Sequence, residues 1–253
     1  MENKEDNRQR KGAVYMTKHT HVHSHSSGDG SIGSHRACVR LVPIFNHLEE
    51  QQMDEIMSVA RSASFKKGET IYQAGEESTS LFIVNRGRIR IYRLSENGRE
   101  QLLRILNPGD FTGELALFRS TTHESYAEAM VDTSVCLIRR DELRTLLQKY
   151  PSISIKVLQE FSKRLDETER QTARFATEKV ETRLAMFLTE VAEDAEEPIE
   201  FKLPMSKKDL ASYLGTTPET ISRKLGQFED EGYIRQKSGR RIEIVDLDGL
   251  LLV

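Results

Sequence analysis

The spacing of apolar side chains changes twice along this chain of 253 residues, and the succession limits the folds open to it. From Phe65 to Arg140, short apolar stretches are punctuated by Gly68, Gly75, Gly87, Gly98, Gly109 and Gly113. Ile89 and Ile91 alternate with Arg88, Arg90 and Tyr92, the pattern of a half-buried strand. Ser95-Glu96-Asn97-Gly98 reads as a hairpin turn, because Asn-Gly tolerates positive φ. Short strands with a turn about every dozen residues predict an all-β barrel or roll. After Pro151 the period becomes helical. Leu158, Phe161, Leu165, Thr168, Thr172 and Phe175 step by three and four, which is a heptad seam. A shorter amphipathic helix is expected between Val42 and Arg61, on Leu48, Met53, Ile56, Met57 and Ala60.

A long helix with a seam needs something to cover it, and in a symmetric protein the same helix of a second copy does so. The expectation is a homodimer built on those six residues. Thr168 and Thr172 make the middle of the seam polar, which lowers its stability and suits a dimer whose geometry is meant to change.

Composition narrows the class. A hydrophobic share of 37% with 30% charged residues suits a soluble globular protein. No apolar run reaches bilayer length, and no signal-peptide core opens the chain, so a cytoplasmic protein without membrane contact is expected. Two cysteines, Cys38 and Cys136, are too few for a disulfide-stapled scaffold or a cluster on four thiolates from one chain. Residues 1–36 lack apolar periodicity and read as a disordered tail. Its alternating His19, His21, His23 and His25 offer metal ligands without fixed geometry, so no metal site is assigned. Arg10-Lys11-Gly12-Ala13 can be encoded by a purine-rich ribosome-binding sequence at a sensible distance before Met16, which makes Met16 an alternative start. A metal-dependent enzyme built on the roll would need several histidines inside it, and only His123 lies between Phe65 and Arg140. Catalysis is not expected.

The C-terminal region carries the strongest signal. The net charge of −3 is not that of a nucleic-acid binder, yet Ser206 to Arg241 holds eight Lys/Arg against five Asp/Glu. Ser206 has capping-box spacing to Asp209, starting a helix over Lys207–Leu214 that Gly215 stops. Thr217 then caps a second helix with Pro218 at its first position. Two short helices joined through a glycine turn make a helix-turn-helix. On the second helix Ile221, Leu225 and Phe228 face the protein, while Glu219, Ser222 and Arg223 gather on the other face near its N-terminus. A recognition helix meets base edges there. Arg donates to guanine O6 and N7, Glu accepts from cytosine N4, and Ser bonds a base or a phosphate. Beyond it, Tyr233 to Val245 reads as a hairpin around Ser238-Gly239, with Arg235, Lys237, Arg240 and Arg241 at its tip for phosphate contacts. The candidate DNA-contacting set is Thr217, Pro218, Glu219, Ser222, Arg223, Lys237, Arg240 and Arg241. The expected class is α+β: a β-roll domain over 37–150, a dimerisation helix over 151–176, and a winged helix-turn-helix over 177–253. A regulatory subunit that does not touch DNA is the rival class, and it leaves Glu219, Ser222, Arg223 and the basic wing unexplained.

Over residues 41–250 this order of parts resembles the CRP/FNR family of bacterial regulators. The resemblance rests on Pro108-Gly-Asp-Phe-Thr-Gly-Glu-Leu-Ala-Leu-Phe118 in the roll and Leu214-Gly-Thr-Thr-Pro-Glu-Thr-Ile-Ser-Arg223 in the helix-turn-helix. It implies an N-terminal β-roll of the cyclic-nucleotide-binding kind, dimerisation on the long helix, and double-stranded DNA as partner, with RNA polymerase a second partner in an activator. The pattern at Glu219, Ser222 and Arg223 is similar to the FNR branch and implies an inverted repeat of TTGAT-like half-sites. Glu114 and Ser125 match the family's ribose and phosphate contacts, but the phosphate-binding arginine is replaced by Glu124. That repulsion argues against cAMP. Haem would have only His123 and Cys136 as ligands, and no cofactor is expected. Cys38 and Cys136 are similarly placed to the cysteines of cluster-free FNR-like proteins of lactic acid bacteria, which implies a dithiol–disulfide switch. The alternatives are an unidentified small ligand in the roll or, for the cysteines, a structural role.

Overall fold

The computed structural model describes residues 39–118, 121–193 and 199–253. The tail over 1–36 with its four alternating histidines, Met16 and Cys38 lies outside the described residues.

Helix α1 (Glu50–Val59) is shorter than the apolar pattern from Val42 predicts. Val42, Ile44, Phe45 and Leu48 are buried, but in a run of tight turns beginning beside Pro43, whose ring removes a helical donor. The chain leaves α1 at Ala60 and enters β1 (Arg61–Phe65). Next come β2 (Thr70–Tyr72), β3 (Ser80–Arg86), β4 (Ile89–Leu94), β5 (Glu100–Leu106), β6 (Phe111–Thr112), a 3₁₀ turn (Glu114–Leu117), β7 (Tyr126–Ala129) and β8 (Thr133–Arg139). They form two antiparallel four-stranded sheets, ordered β1-β8-β3-β6 and β2-β7-β4-β5, which is the expected roll. The sheets close on Ala63, Tyr72, Val84, Ile89, Ile91, Leu106, Ala127 and Val135. In the β4–β5 turn only Gly98 takes positive φ, +77°, so Asn97 contributes through its side chain, which accepts from Ser95 Oγ at 2.6 Å.

The outer face of the β1-β8-β3-β6 sheet is covered by helices. Leu81, Ile83, Cys136 and Ile138 pack against Ile56 of α1, Leu143 and Leu146 of α2 (Arg140–Lys149), and Ile153 and Val157 of α3 (Pro151–Thr177). Val39 belongs to the same core. After a break at Glu178 and Lys179, α4 (Val180–Ala192) opens the C-terminal unit.

That unit contains β9 (Glu200–Lys202), α5 (Lys207–Tyr213), α6 (Pro218–Asp230), β10 (Ile234–Lys237), β11 (Arg241–Ile244) and α7 (Leu247–Leu251). The wing is a three-stranded sheet, β10-β11-β9. Its core of Leu184, Leu188, Leu210, Ile221, Leu225, Phe228 and Ile242 also admits Leu102 from β5 of the roll. Among the described residues no helix is long and apolar enough to cross a membrane.

Candidate nucleic-acid interface

Local chemistry builds the helix pair. Ser206 Oγ accepts from the Asp209 amide at 3.1 Å, which satisfies an unpaired donor at the start of α5. Gly215 takes φ +68° and turns the chain, with Phe175 of α3 packed against it. Thr217 Oγ1 accepts from the Thr220 amide at 3.3 Å, and Pro218 fills the first position of α6. Ile221, Leu225 and Phe228 are fully buried. Glu219, Ser222 and Arg223 are exposed, as are Thr217 and Pro218. Among the described residues no side-chain partner engages Glu219, Ser222 or Arg223. Lys224, one residue on, is instead tied to Glu181 of α4 at 2.7 Å. The N-terminal face of α6 thus presents a carboxylate, a hydroxyl and a guanidinium with their hydrogen-bonding capacity unspent, where the helix dipole adds positive potential.

The wing is less bare than its sequence implies. Lys237 bonds Glu200 at 2.6 Å and Glu243 at 2.9 Å, Arg241 bonds Glu200 at 3.2 Å, and Arg235 bonds Glu243 at 3.0 Å. Lys237 and Arg241 hold the Glu200 carboxyl below its ordinary pKa. Sequence reading missed Glu200 as a partner because it lies on β9, beyond the hairpin. Only Arg240, of the four wing cations, has no carboxylate beside it among the described residues. It is also the one non-glycine residue of positive φ among them, +67°, which turns the wing tip.

The six seam residues divide. Phe161 packs on Phe118 (ring centroids 5.5 Å apart) and on the roll's helical core. Phe175 lies under Arg183 and against Gly215. Leu158 and Leu165 stand 62% and 60% exposed, with Thr172 on the same stripe. Ile155, missing from the sequence grouping although it lies three residues before Leu158, extends that stripe at 59% exposure. Thr168 and Thr172 donate their hydroxyls to the carbonyls of Arg164 and Thr168, so neither needs a polar partner across a seam.

Inside the roll, Gly113 (φ +83°) lies so close to Ser80 that an added Cβ would stand 2.3 Å from its carbonyl oxygen. That tight turn buries Glu114, whose carboxylate meets Arg104 of β5 at 3.1 Å and Arg164 of α3 at 2.8 Å. Burial alone would raise the Glu114 pKa, but the two guanidinium groups outweigh it and hold the carboxyl below its ordinary value. Arg164 also stacks on Phe111 and donates to its carbonyl at 3.0 Å. His123 stacks on Tyr72 with ring centroids 3.7 Å apart, and burial pushes its pKa down. Glu124 pairs with Arg93. These residues do not fit a cyclic nucleotide. The ribose-type carboxylate is already neutralised by two arginines, and the phosphate position holds a carboxylate. Among the described residues no group of three His, Cys, Asp or Glu side chains is arranged to hold a metal. Cys136 is buried on β8.

Residues 62–150 match the cyclic nucleotide-binding domain family, and residues 182–252 the Crp-like helix-turn-helix domain family. The probable transcriptional regulator flp of Lacticaseibacillus casei is 30% identical over 214 residues, covering 85% of this chain and 96% of its own length. The fumarate and nitrate reduction regulatory protein of Escherichia coli K12 is 32% identical over 208 residues, 80% of this chain and 82% of its own. Among solved structures, FixK2 of Bradyrhizobium japonicum superposes with a TM-score of 0.66 at 30% identity, over 76% of this chain and 96% of that one. With its roll, long helix and winged helix-turn-helix in this order, the chain belongs to the CRP/FNR family of DNA-binding transcription regulators.

Proposed function

We propose that the chain works as a cytoplasmic homodimer that reads an inverted repeat of FNR-like half-sites, with no catalytic step. The observation that carries this reading is the unspent trio of Glu219, Ser222 and Arg223 on the exposed N-terminal face of α6. Arg223 pairs with guanine, Glu219 with cytosine, and Ser222 with a base or phosphate. Thr217 and Pro218 set the start of that face, and Lys237, Arg240 and Arg241 contact phosphates, the paired two after exchanging carboxylate for phosphate. The stripe of Ile155, Leu158, Leu165 and Thr172 faces its counterpart in the second copy, while Phe161 and Phe175 fasten α3 to its own chain. In this division the roll over 37–150 senses, the helix over 151–176 dimerises, and residues 177–253 bind DNA. Gel shifts on a TTGAT-like inverted repeat test the reading. Each inward base change weakens binding by about 1–3 kcal/mol. Affinity unchanged across all such substitutions overturns it. RNA polymerase is the further partner where a bound site lies at an activating position.

For the signal, we propose a dithiol–disulfide switch, in which an external oxidant takes the two electrons released as the Cys38 and Cys136 thiols join. Its support is that Val39, next in the chain to Cys38, is buried in the same core as Cys136. A buried thiol reacts slowly, so oxidation requires the segment before α1 to open. Diamide and dithiothreitol alter DNA affinity of the native protein and leave Cys38→Ser indifferent. Identical responses of the two proteins to both reagents refute the switch. The self-neutralised Glu114 cluster disfavours the alternative of a small ligand at the ribose position.

A further inference from the structure

The edge of β5 provides a contact between the roll and the DNA-binding unit. β5 is the last strand of its sheet, so on one side its amides and carbonyls have no strand neighbour. Ser212 of α5 supplies what is missing. Its Oγ accepts from the Leu102 amide at 2.7 Å and donates to the Glu100 carbonyl at 2.8 Å. A carbonyl and an amide two residues apart are the groups a single residue of a neighbouring parallel strand would bond. One hydroxyl therefore stands in for a strand.

Around it the contact is specific. Arg99 donates to the Thr216 carbonyl at 2.8 Å, directly before the residue that caps α6. Arg90, flanked by Glu100 and Glu128, reaches Asp209 of α5 at 3.3 Å, and Arg88 donates to the Pro204 carbonyl at 2.8 Å. A bulge explains how one strand serves two units. Ile91 pairs with Arg104 and Tyr92 with Leu102, leaving Leu103 as the extra residue. Residues two apart on a regular strand share a face, and the bulge breaks that rule. Leu102 leaves the roll and enters the core of the DNA-binding unit, while Arg104 turns inward to Glu114.

We propose that Ser212 is a positioning residue: its hydroxyl latches the helix pair to the edge of β5 and so holds the recognition helix at a set place relative to the roll. This rests on the reading of α6 as the DNA-contacting helix. The latched arrangement leaves Glu219, Ser222 and Arg223 uncovered, so it is competent to bind, and releasing it makes DNA binding weaker. The same strand carries Arg104, so a change at the Glu114 cluster reaches the latch through two residues of backbone.

The test uses full-length protein as wild type, Ser212→Ala and Ser212→Thr. Hydrogen exchange is followed in peptides spanning β5, alongside melting temperature and affinity for the inverted repeat. Ser212→Ala exchanges at Leu102 roughly tenfold faster, as loss of about one net hydrogen bond or slightly more dictates, and binds DNA several-fold more weakly. Ser212→Thr, which keeps the hydroxyl, behaves as wild type in both. Unchanged exchange at β5 in Ser212→Ala overturns the latch. So does faster exchange that spreads through the cores of α5 and α6 with a lowered melting temperature, since that is general loosening. If wild type itself ignores the inverted repeat, the DNA assignment fails, while the exchange data still judge the latch.

Discussion

Glu114→Gln keeps the shape of the side chain and removes the negative charge between Arg104 and Arg164. Only 12% of the Glu114 side chain and 19% of that of Arg164 is exposed, against 34% for Arg104. Removing one member of a well-buried ion pair costs roughly 3–5 kcal/mol, because its partner stays behind uncompensated. Here two like charges are left facing each other, but Arg104 keeps some water, so we expect the lower end, about 3 kcal/mol. At roughly 2–4 °C per kcal/mol for a chain of this size, the melting temperature falls by about 6–12 °C. Differential scanning calorimetry measures it. Glu124→Gln serves as control, since its pairing with Arg93 is exposed and surface pairs contribute little.

The pH dependence separates charge from packing. In the folded state Arg104 and Arg164 hold the Glu114 pKa below its ordinary value of 4.5. The stability from that depression is therefore present above pH 4.5 and is lost as pH falls through the lower, folded value. Wild type and Glu114→Gln should differ fully near neutrality and converge in acid. A melting temperature within about 2 °C of wild type at pH 7, against the 6–12 °C expected from the size scaling, refutes the reasoning. A gap between the two proteins that stays constant into acid refutes it equally.

Two further perturbations probe the outer surfaces. Arg240→Ala should weaken binding to all DNA sequences alike and reduce the slope of log affinity against log salt by about one, as loss of a single phosphate contact requires. A change of base preference instead would place Arg240 at a base edge. Leu158→Asp with Leu165→Asp should convert the dimer to monomer in sedimentation velocity without lowering the content of secondary structure, because both side chains are exposed within one chain. A dimer that survives both substitutions would remove α3 as the interface.

The helix-turn-helix was legible because its chemistry is local. Ser206 and Thr217 each cap a turn three residues away, Gly215 supplies one left-handed residue, and Pro218 sits where its missing donor costs nothing. The roll was legible from its glycines and alternating strands, though not its strand order. The seam was legible only as a period. Leu158, Leu165 and Thr172 repeat every seven residues, and so do Phe161, Thr168 and Phe175, offset by three. A repeat says which side chains share a stripe and is silent on what covers each one. The structure separates them because Phe118 and Gly215 arrive from elsewhere in the chain to meet the phenylalanines.

The contacts that escaped the sequence share one property, and it bears on how such a regulator is assembled. Arg164 meets Glu114 across 50 positions, Arg241 meets Glu200 across 41, and Ser212 meets Glu100 across 112. Each joins units that the local signals define separately: helix to roll, wing to its third strand, helix pair to roll. Local signals are set by backbone geometry, which repeats in any chain, whereas a distant polar pair has no periodicity to betray it. Neutralisation is strict at the buried ionic joint, since Glu114 or Arg164 left there without its partner costs several kcal/mol. Substitutions at Glu114, Arg164 or Ser212 should therefore change how the units sit together, and substitution of the Ser206 cap should act mainly on whether its own unit folds.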